Sequence, residues 1–394
     1  MEKLKICLII PNVLPVPATK GGATEMLMTN LLKENEKTGL IDFTCVSVYE
    51  EKAEELSKNY KYTEYIYINQ KRENLDLKFE TGDSFFIPYM NEFYEKIKDR
   101  NFDFIIIEGG DCSGYKYILN KFPKEKCIVH IHGSLLGDNK INNEIYHKFL
   151  GISKYTCKLI SSDGNIPPEK VELLYNAINT SDFDKTISEE EKDEIRKKYG
   201  IEKNDNVIIF FGRTIPEKGI KELITAFKRI KNLDNSKLLI VGCANYGERV
   251  KTDFDYELER LSESVKDKIK FTGYINNDEL YKVHNISLIA VIPSMWEELF
   301  GLVVVEAMSS GLPLIVTNSG GIPEIVDDEC AFIIDKDESL IDNMANKLDY
   351  LIEHPEVREK MGKHAKIRAK KFDMKEYLIN FNNVMNKIKN ENNA

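Results

Sequence analysis

Short apolar runs separated by longer mixed segments pattern the chain along its length. In the first half these runs fall at residues 6–10, 43–48, 104–107 and 127–131, with weaker candidates at 63–68, 158–161 and 171–175. Runs that are apolar throughout, rather than alternating, mark strands buried on both faces. With helical patterns between them they predict a parallel sheet covered by helices, a Rossmann-like domain. After Asn176 the chain turns polar, and SEEEKDEIRKKYG, near 188–200, reads as a solvated helix. The pattern then restarts, with strands predicted at 207–211, 237–241, 269–272, 286–292, 314–317 and 331–334, each followed by a helical segment. A second Rossmann-like domain is expected there. From about 338 onward the spacing predicts three helices, the last running from Met374 to about Lys389.

A length of 394 residues supports the two-domain reading, because one hydrophobic core usually stops growing before about 300 residues. The net charge of −10, from 55 basic and 65 acidic residues of interspersed sign, argues against a nucleic-acid partner. Seven cysteines without a C-x-x-C pair, most of them in apolar runs, fit core residues in a reducing compartment rather than a disulfide or zinc framework. The first residues run straight into a strand with no leader pattern, and no apolar run approaches the roughly 18 residues that span a bilayer. A cytoplasmic protein is expected, with peripheral contact at the inner face of a membrane left open through the basic-aromatic stretches 91–100 and 146–155. Solvated helix faces are the plainer reading of both stretches.

Candidate chemistry concentrates in PSMWEELFGLVVVEAMSSGLPLIVTNSGGIPE, residues 293–324. A strand ending at Pro293 leads through Glu298, Phe300 and Gly301 into a helix starting near Leu302, which Gly311 and Pro313 terminate. Such a start aims the free amides of Gly301, Leu302 and Val303, with the positive end of the helix dipole, at a phosphate. Glu306 lies one turn inside, where a carboxylate beside a phosphate is repelled unless a ribose diol separates them. A carboxylate can accept both diol protons, so the pairing suits a nucleoside diphosphate. Glu298, in the loop, then reaches toward the group that the phosphates carry.

Three other segments join the picture. FFGRTIPEKGI, 210–220, leaves a strand and enters a helix near Gly219, so Arg213 and Lys218 could clamp a diphosphate and offset charge on it as a leaving group. In KGGATE, 20–25, Gly21 and Gly22 permit either a tight turn or close backbone approach to an anion at a helix start. HIHGS places His130 and His132 on one face of a strand; with no third ligand evident nearby, no metal is expected. Two D-x-D triplets, Asp182 to Asp184 and Asp253 to Asp255, lie in polar surroundings and are read as chance.

The E-x7-E spacing of Glu298 and Glu306, set in PSxWEExFG and followed by EAMxxGLP and GGIPE, resembles the signature of glycosyltransferase family four, retaining enzymes of the GT-B fold. The resemblance implies an α/β protein of two Rossmann-like domains with parallel sheets facing across a cleft. Residues 1–180 would form the acceptor-side domain, joined by the final helix within 374–394, and residues 181–373 the donor domain. It further implies that Arg213 and Lys218 bind the donor diphosphate, that Gly21 and Gly22 face phosphate and acceptor, and that His132 contacts the donor sugar. Backbone near Tyr274 and Ile275 would hold the nucleobase.

The expected activity is metal-independent transfer of a sugar from a nucleoside-diphosphate-sugar, UDP being the favoured carrier. The acceptor would be a hydroxyl of a glycan or lipid-linked molecule, in cell-surface polysaccharide or glycoconjugate assembly. No cofactor is required on this reading. Two alternatives stay open: a nucleotide-sugar 2-epimerase, which needs no acceptor, and a non-catalytic nucleotide-sugar-binding subunit. Oligomeric state is left open.

Overall fold

A computed structural model describes residues 3–11, 13–69, 87–109, 112–133, 138–244 and 251–393. The chain divides into two compact units, Met1–Ala177 with Met374–Ala394, and Ile178–Asp373. Each is built on one parallel sheet.

In the first unit the strands are β1 (Lys5–Ile9), β2 (Asp42–Val48), β3 (Thr63–Ile68), β4 (Phe104–Ile107), β5 (Cys127–Ile131), β6 (Lys148–Gly151) and β7 (Val171–Leu173), in spatial order 3-2-1-4-5-6-7. All pairings are parallel. The continuous apolar runs follow from burial on both faces. In β1, Ile6 and Leu8 join a core with the helices Ala23–Thr38 and Met374–Asn392, while Cys7 and Ile9 face a second core holding Tyr89 and Phe93.

The second unit carries β8 (Asn206–Phe211), β9 (Ser236–Val241), β10 (Ile269–Gly273), β11 (Ile289–Ile292), β12 (Leu314–Thr317) and β13 (Ala331–Ile334), in order 10-9-8-11-12-13, again parallel. The order reverses between β1 and β4 in one sheet and between β8 and β11 in the other. In open α/β sheets such switch points open a crevice at the carboxyl ends of the strands.

Two strand assignments need correction. Residues 158–161 belong to the helix Lys154–Ser162, which Ser153 caps by accepting from the Thr156 amide at 2.9 Å; the strand is Lys148–Gly151, immediately before that cap. All four of its residues are buried and Lys148 pairs with Glu391 at 2.8 Å, so the middle of the stretch 146–155 is buried strand, and only Lys154 and Tyr155 at its end enter a helix. The stretch 91–100 falls mostly in the helix Ile87–Ile97, whose Phe93 and Ile97 are spent on the core. The strand expected at 286–292 begins only at Ile289, because Ile286 closes the preceding helix Asn277–Asn285. The polar run near 188–200 is the helix Glu189–Tyr199, with no buried residue and a capping box between Ser188 and Glu191. Among the described residues no helix is long and apolar enough to cross a membrane, and the seven cysteines form no disulfide.

Candidate functional site

At the second unit's switch point, β8 runs into the connection carrying Arg213 and Lys218, and β11 into the loop carrying Glu298. Two glycines let backbone close on that loop from both sides. Gly219 has φ +70°, and a Cβ there would lie 1.9 Å from the Pro293 carbonyl oxygen; at Gly320, φ +49°, it would lie 2.1 Å from that of Glu298. No side chain fits at either position. The Met295 amide donates to Glu217 O at 2.8 Å and the Gly321 amide to Glu298 O at 2.7 Å, completing the clasp.

Inside it, one carboxylate oxygen, Glu298 Oε1, accepts from Lys218 Nζ and from Ser294 Oγ, both at 2.5 Å. The Glu298 amide donates to Ser319 Oγ at 3.2 Å, and that hydroxyl donates to the Trp296 carbonyl. Only 18% of the Lys218 side chain and 11% of that of Glu298 is exposed. The ammonium is therefore held at the strand ends with part of its charge already answered. Arg213, in the same connection, is exposed and has no ion pair among the described residues.

The helix Leu302–Ser309 starts from Gly301, whose backbone is left-handed. The amides of Gly301, Leu302 and Val303 have no acceptor among the described residues. Phe300, just before them, is buried with its ring edge-on to Phe372, which anchors the helix start. Tyr274, exposed, and Ile275, half-buried, follow β10 on the same carboxyl edge of the sheet, tied to it where the Gly242 amide donates to Gly273 O at 2.9 Å.

Glu306 is 9% exposed, and its carboxyl finds no hydrogen-bond partner among the described residues. Burial alone raises its pKa from 4.5 to about 7. Because the folded value exceeds the unfolded one, the group contributes stability that is fully present below about 4.5 and lost as pH rises through about 7. Glu306→Gln, neutral throughout, should therefore gain on the wild type over that window by about 1.4 kcal/mol per pH unit, to a ceiling of a few kcal/mol. Denaturant midpoints at pH 5 and pH 8 check this; the same difference at both pH values would contradict it.

Both D-x-D triplets are occupied in structural roles. Asp255 closes a capping box with Thr252 and accepts from Thr214 Oγ1 at 3.1 Å, and Asp184 pairs with Lys366 at 2.6 Å.

In the first unit Gly22 caps the helix Ala23–Thr38, with Gly21 exposed beside it. The space above is taken: a Cβ on Gly22 would meet Glu25 Oε2 at 2.1 Å. The chain's own carboxylate thus lies at the helix start where an external anion was expected. Burial raises the pKa of Glu25, against the opposing pull of its own backbone amide and His132.

His130 and His132 share a face of β5, and Glu108, missed in the sequence, lies directly beside both. Its Oε2 is 3.0 Å from His130 Nδ1 and 2.8 Å from His132 Nε2. Burial opposes the charge on Glu108, but the two rings outweigh it and hold the carboxyl below the ordinary range. Burial, then the neighbouring His130, lowers the pKa of His132. The view that nothing completes a ligand set around the histidines is corrected: the three side chains could together offer three metal-ligating atoms. The two contacts on the shared oxygen have hydrogen-bond length, which accounts for the cluster without an ion.

Residues 191–368 match the family model described as Glycosyl transferases group 1. The uncharacterized glycosyltransferase MJ1607 of Methanocaldococcus jannaschii is 36% identical over 178 residues, 45% of this chain and 44% of that protein, so the match spans less than half the relative's length. Among solved structures, a glycosyltransferase from Rickettsia africae superposes with TM-score 0.79 at 20% identity, covering 98% of this chain and 99% of that one. HepE of Anabaena, crystallised with UDP, superposes with TM-score 0.74 at 18% identity over 98% of this chain and all of its own. These structural likenesses show the GT-B fold, and the match to the group 1 glycosyl transferases lies within residues 191–368, in the second unit.

Proposed function

We propose that this chain is a retaining glycosyltransferase that takes its sugar from a nucleoside-diphosphate-sugar, with UDP as the carrier. The observation that carries the reading is the grouping, at one sheet's carboxyl edge, of a buried unpartnered Glu306, uncommitted amides at Gly301, Leu302 and Val303, and the half-buried Lys218 paired to Glu298. Each feature lacks something that a donor supplies. Glu306 lacks hydroxyl donors, the amides lack an anion, and Lys218 has a competing partner that a diphosphate can outbid. UDP in the structurally similar HepE supports the choice of base.

Arg213, Lys218 and the helix start then stabilise charge growing on the leaving diphosphate, and this reading needs no metal for that task. Glu298 sits next to Lys218 and meets the departing sugar. Attack from the leaving-group side retains configuration without a side-chain nucleophile, and a phosphate oxygen takes the acceptor proton. His132 meets the donor sugar, a role that rests on the family resemblance. That resemblance is also the ground for a glycan or lipid-linked acceptor in cell-surface polysaccharide assembly, for the division into an acceptor-side and a donor unit, and for backbone contacts to the base near Tyr274 and Ile275.

The test is a thermal-shift screen with UDP, GDP, ADP and dTDP, with and without EDTA. Selective stabilisation by UDP that survives chelation is expected; at a hundredfold excess over Kd it amounts to about 2.7 kcal/mol. No shift with any nucleotide at millimolar concentration would overturn the donor reading, and a shift abolished by EDTA would overturn metal independence.

A further inference from the structure

We propose that Glu108 is the positioning residue of His132, fixing its ring so that Nε2 carries the proton and Nδ1 presents a bare lone pair to the sugar. The inference rests on the reading that His132 meets the donor sugar, but its geometry lies wholly within the first unit.

The register creates the arrangement. In the β4–β5 ladder Ile107 pairs with Val129, so the next residue, Glu108, falls level with His130. The Glu108 amide donates to Ile9 O at 3.0 Å, which continues β4 to that point. Two residues along β5, His132 returns to the same face, and the two ring centroids lie 4.0 Å apart. A single oxygen, Glu108 Oε2, meets both rings.

An ionised carboxylate has only acceptors to offer, so both facing nitrogens must be donors. That assigns Nδ1–H to His130 and Nε2–H to His132. In His130 the other nitrogen is sealed: Nε2 is buried without a partner, and none of the side chain is exposed. His132 differs, because 11% of its side chain is exposed and Nδ1 has no partner among the described residues. Of the two rings, only His132 can offer its lone pair to a ligand.

Glu108 itself is fully buried, and its Oε1 has no partner. Burying a carboxylate that is half unsatisfied is costly, and an apolar side chain would fill the space at less expense. The remaining charged or titratable groups coupled to this cluster are Glu25 from the helix Ala23–Thr38, which acts on His132, and Cys45 of β2 and Tyr377 of the helix Met374–Asn392, which Glu108 acts on. Among the described residues neither Cys45 nor Tyr377 bonds to the rings, so the hydrogen bond that Glu108 accepts sets the tautomer of His132.

The rival occupant is a divalent metal held by the same three side chains. It would need Oε2 and both nitrogens to give up their mutual hydrogen bonds and open around bonds of about 2.0 Å.

The experiment uses the full chain labelled with 15N-histidine. In the wild type, ring-nitrogen shifts should report His132, assigned by its loss in His132→Ala, as the Nε2–H tautomer. Glu108→Met keeps the volume and removes both acceptors, so the Nε2–H form should give way to a mixture. The rate of UDP release from whichever UDP-sugar best stabilises the wild type should drop by on the order of tenfold to a hundredfold, with the Kd for UDP unchanged. Glu108→Gln keeps one acceptor oxygen and should restore both the tautomer and most of the rate.

An Nδ1–H tautomer in the wild type would overturn the inference whether or not any variant folds. So would a full rate in folded Glu108→Met, or purification of the wild type with stoichiometric zinc whose removal abolishes turnover. If His132→Ala keeps the wild-type rate, or if no UDP-sugar stabilises the wild type, it is the functional reading that fails, and the tautomer still decides whether Glu108 positions the ring.

Discussion

Lys218→Ala is expected to lower kcat/KM by on the order of a hundredfold to a thousandfold, the usual consequence of removing one preorganised group that stabilises transition-state charge. Binding of UDP should weaken as well, since on the proposed reading the same ammonium meets the diphosphate in the ground state. Glu298→Ala should behave differently. Its carboxylate shares Oε1 between Lys218 and Ser294, so removing it frees the ammonium, and UDP should bind as well as before or more tightly. Turnover should nonetheless fall by a similar order if, as proposed, Glu298 meets the sugar and not the nucleotide. Isothermal titration with UDP beside steady-state rates separates the two variants. Weaker UDP binding in Glu298→Ala to the extent seen in Lys218→Ala would show that the pair works as a single phosphate clamp, and the division of roles would be lost.

That pairing was not legible in the sequence, where its partners stand 80 positions apart. What could be read was local: a cationic connection after one apolar run and an acidic loop after another. Their meeting depends on β8 and β11 being neighbours, which no spacing along the chain encodes. Gly219 and Gly320 carry their message only once the opposing carbonyls are known. Strands such as 104–107, 127–131, 314–317 and 331–334 were legible to the residue because burial on both faces leaves an uninterrupted apolar run.

The failure at 158–161 has the same origin. KLIS within a helix and KFLG within a strand are equally short and apolar, and only Ser153 between them, a good N-cap, tells which side is helical. Glu108 was missed for a subtler reason. A glutamate at the end of FIII looks like an ordinary strand exit, yet two apolar runs that end in Glu108 and in His130 on adjacent parallel strands bring those residues level. Recognising it requires the sheet order as well as the runs.

Glu306→Ala should weaken UDP binding by on the order of tenfold to a hundredfold, from the loss of hydrogen bonds to a charged acceptor worth about 1.5–3 kcal/mol. The sharper consequence is in pH. Without nucleotide the carboxyl is buried and unpartnered, with a pKa of about 7. A ribose diol donates two hydrogen bonds and favours the ionised form, so binding in the neutral range must release a proton. Affinity should therefore be greatest above pH 7 and decline as pH falls through it, approaching a tenfold loss per unit where the free enzyme is fully protonated. UDP titrates its own terminal phosphate in this region, but that contribution is common to wild type and variant and cancels in their ratio. The ratio of Kd values, Glu306→Ala over wild type, should be largest at pH 8 and shrink toward pH 5.5. Replacing UDP by 2′-deoxy-UDP should cost the wild type affinity and leave Glu306→Ala almost unaffected. A ratio independent of pH, or an equal penalty for the deoxy compound in both proteins, would place the ribose elsewhere and leave the buried carboxyl without a ligand to explain it.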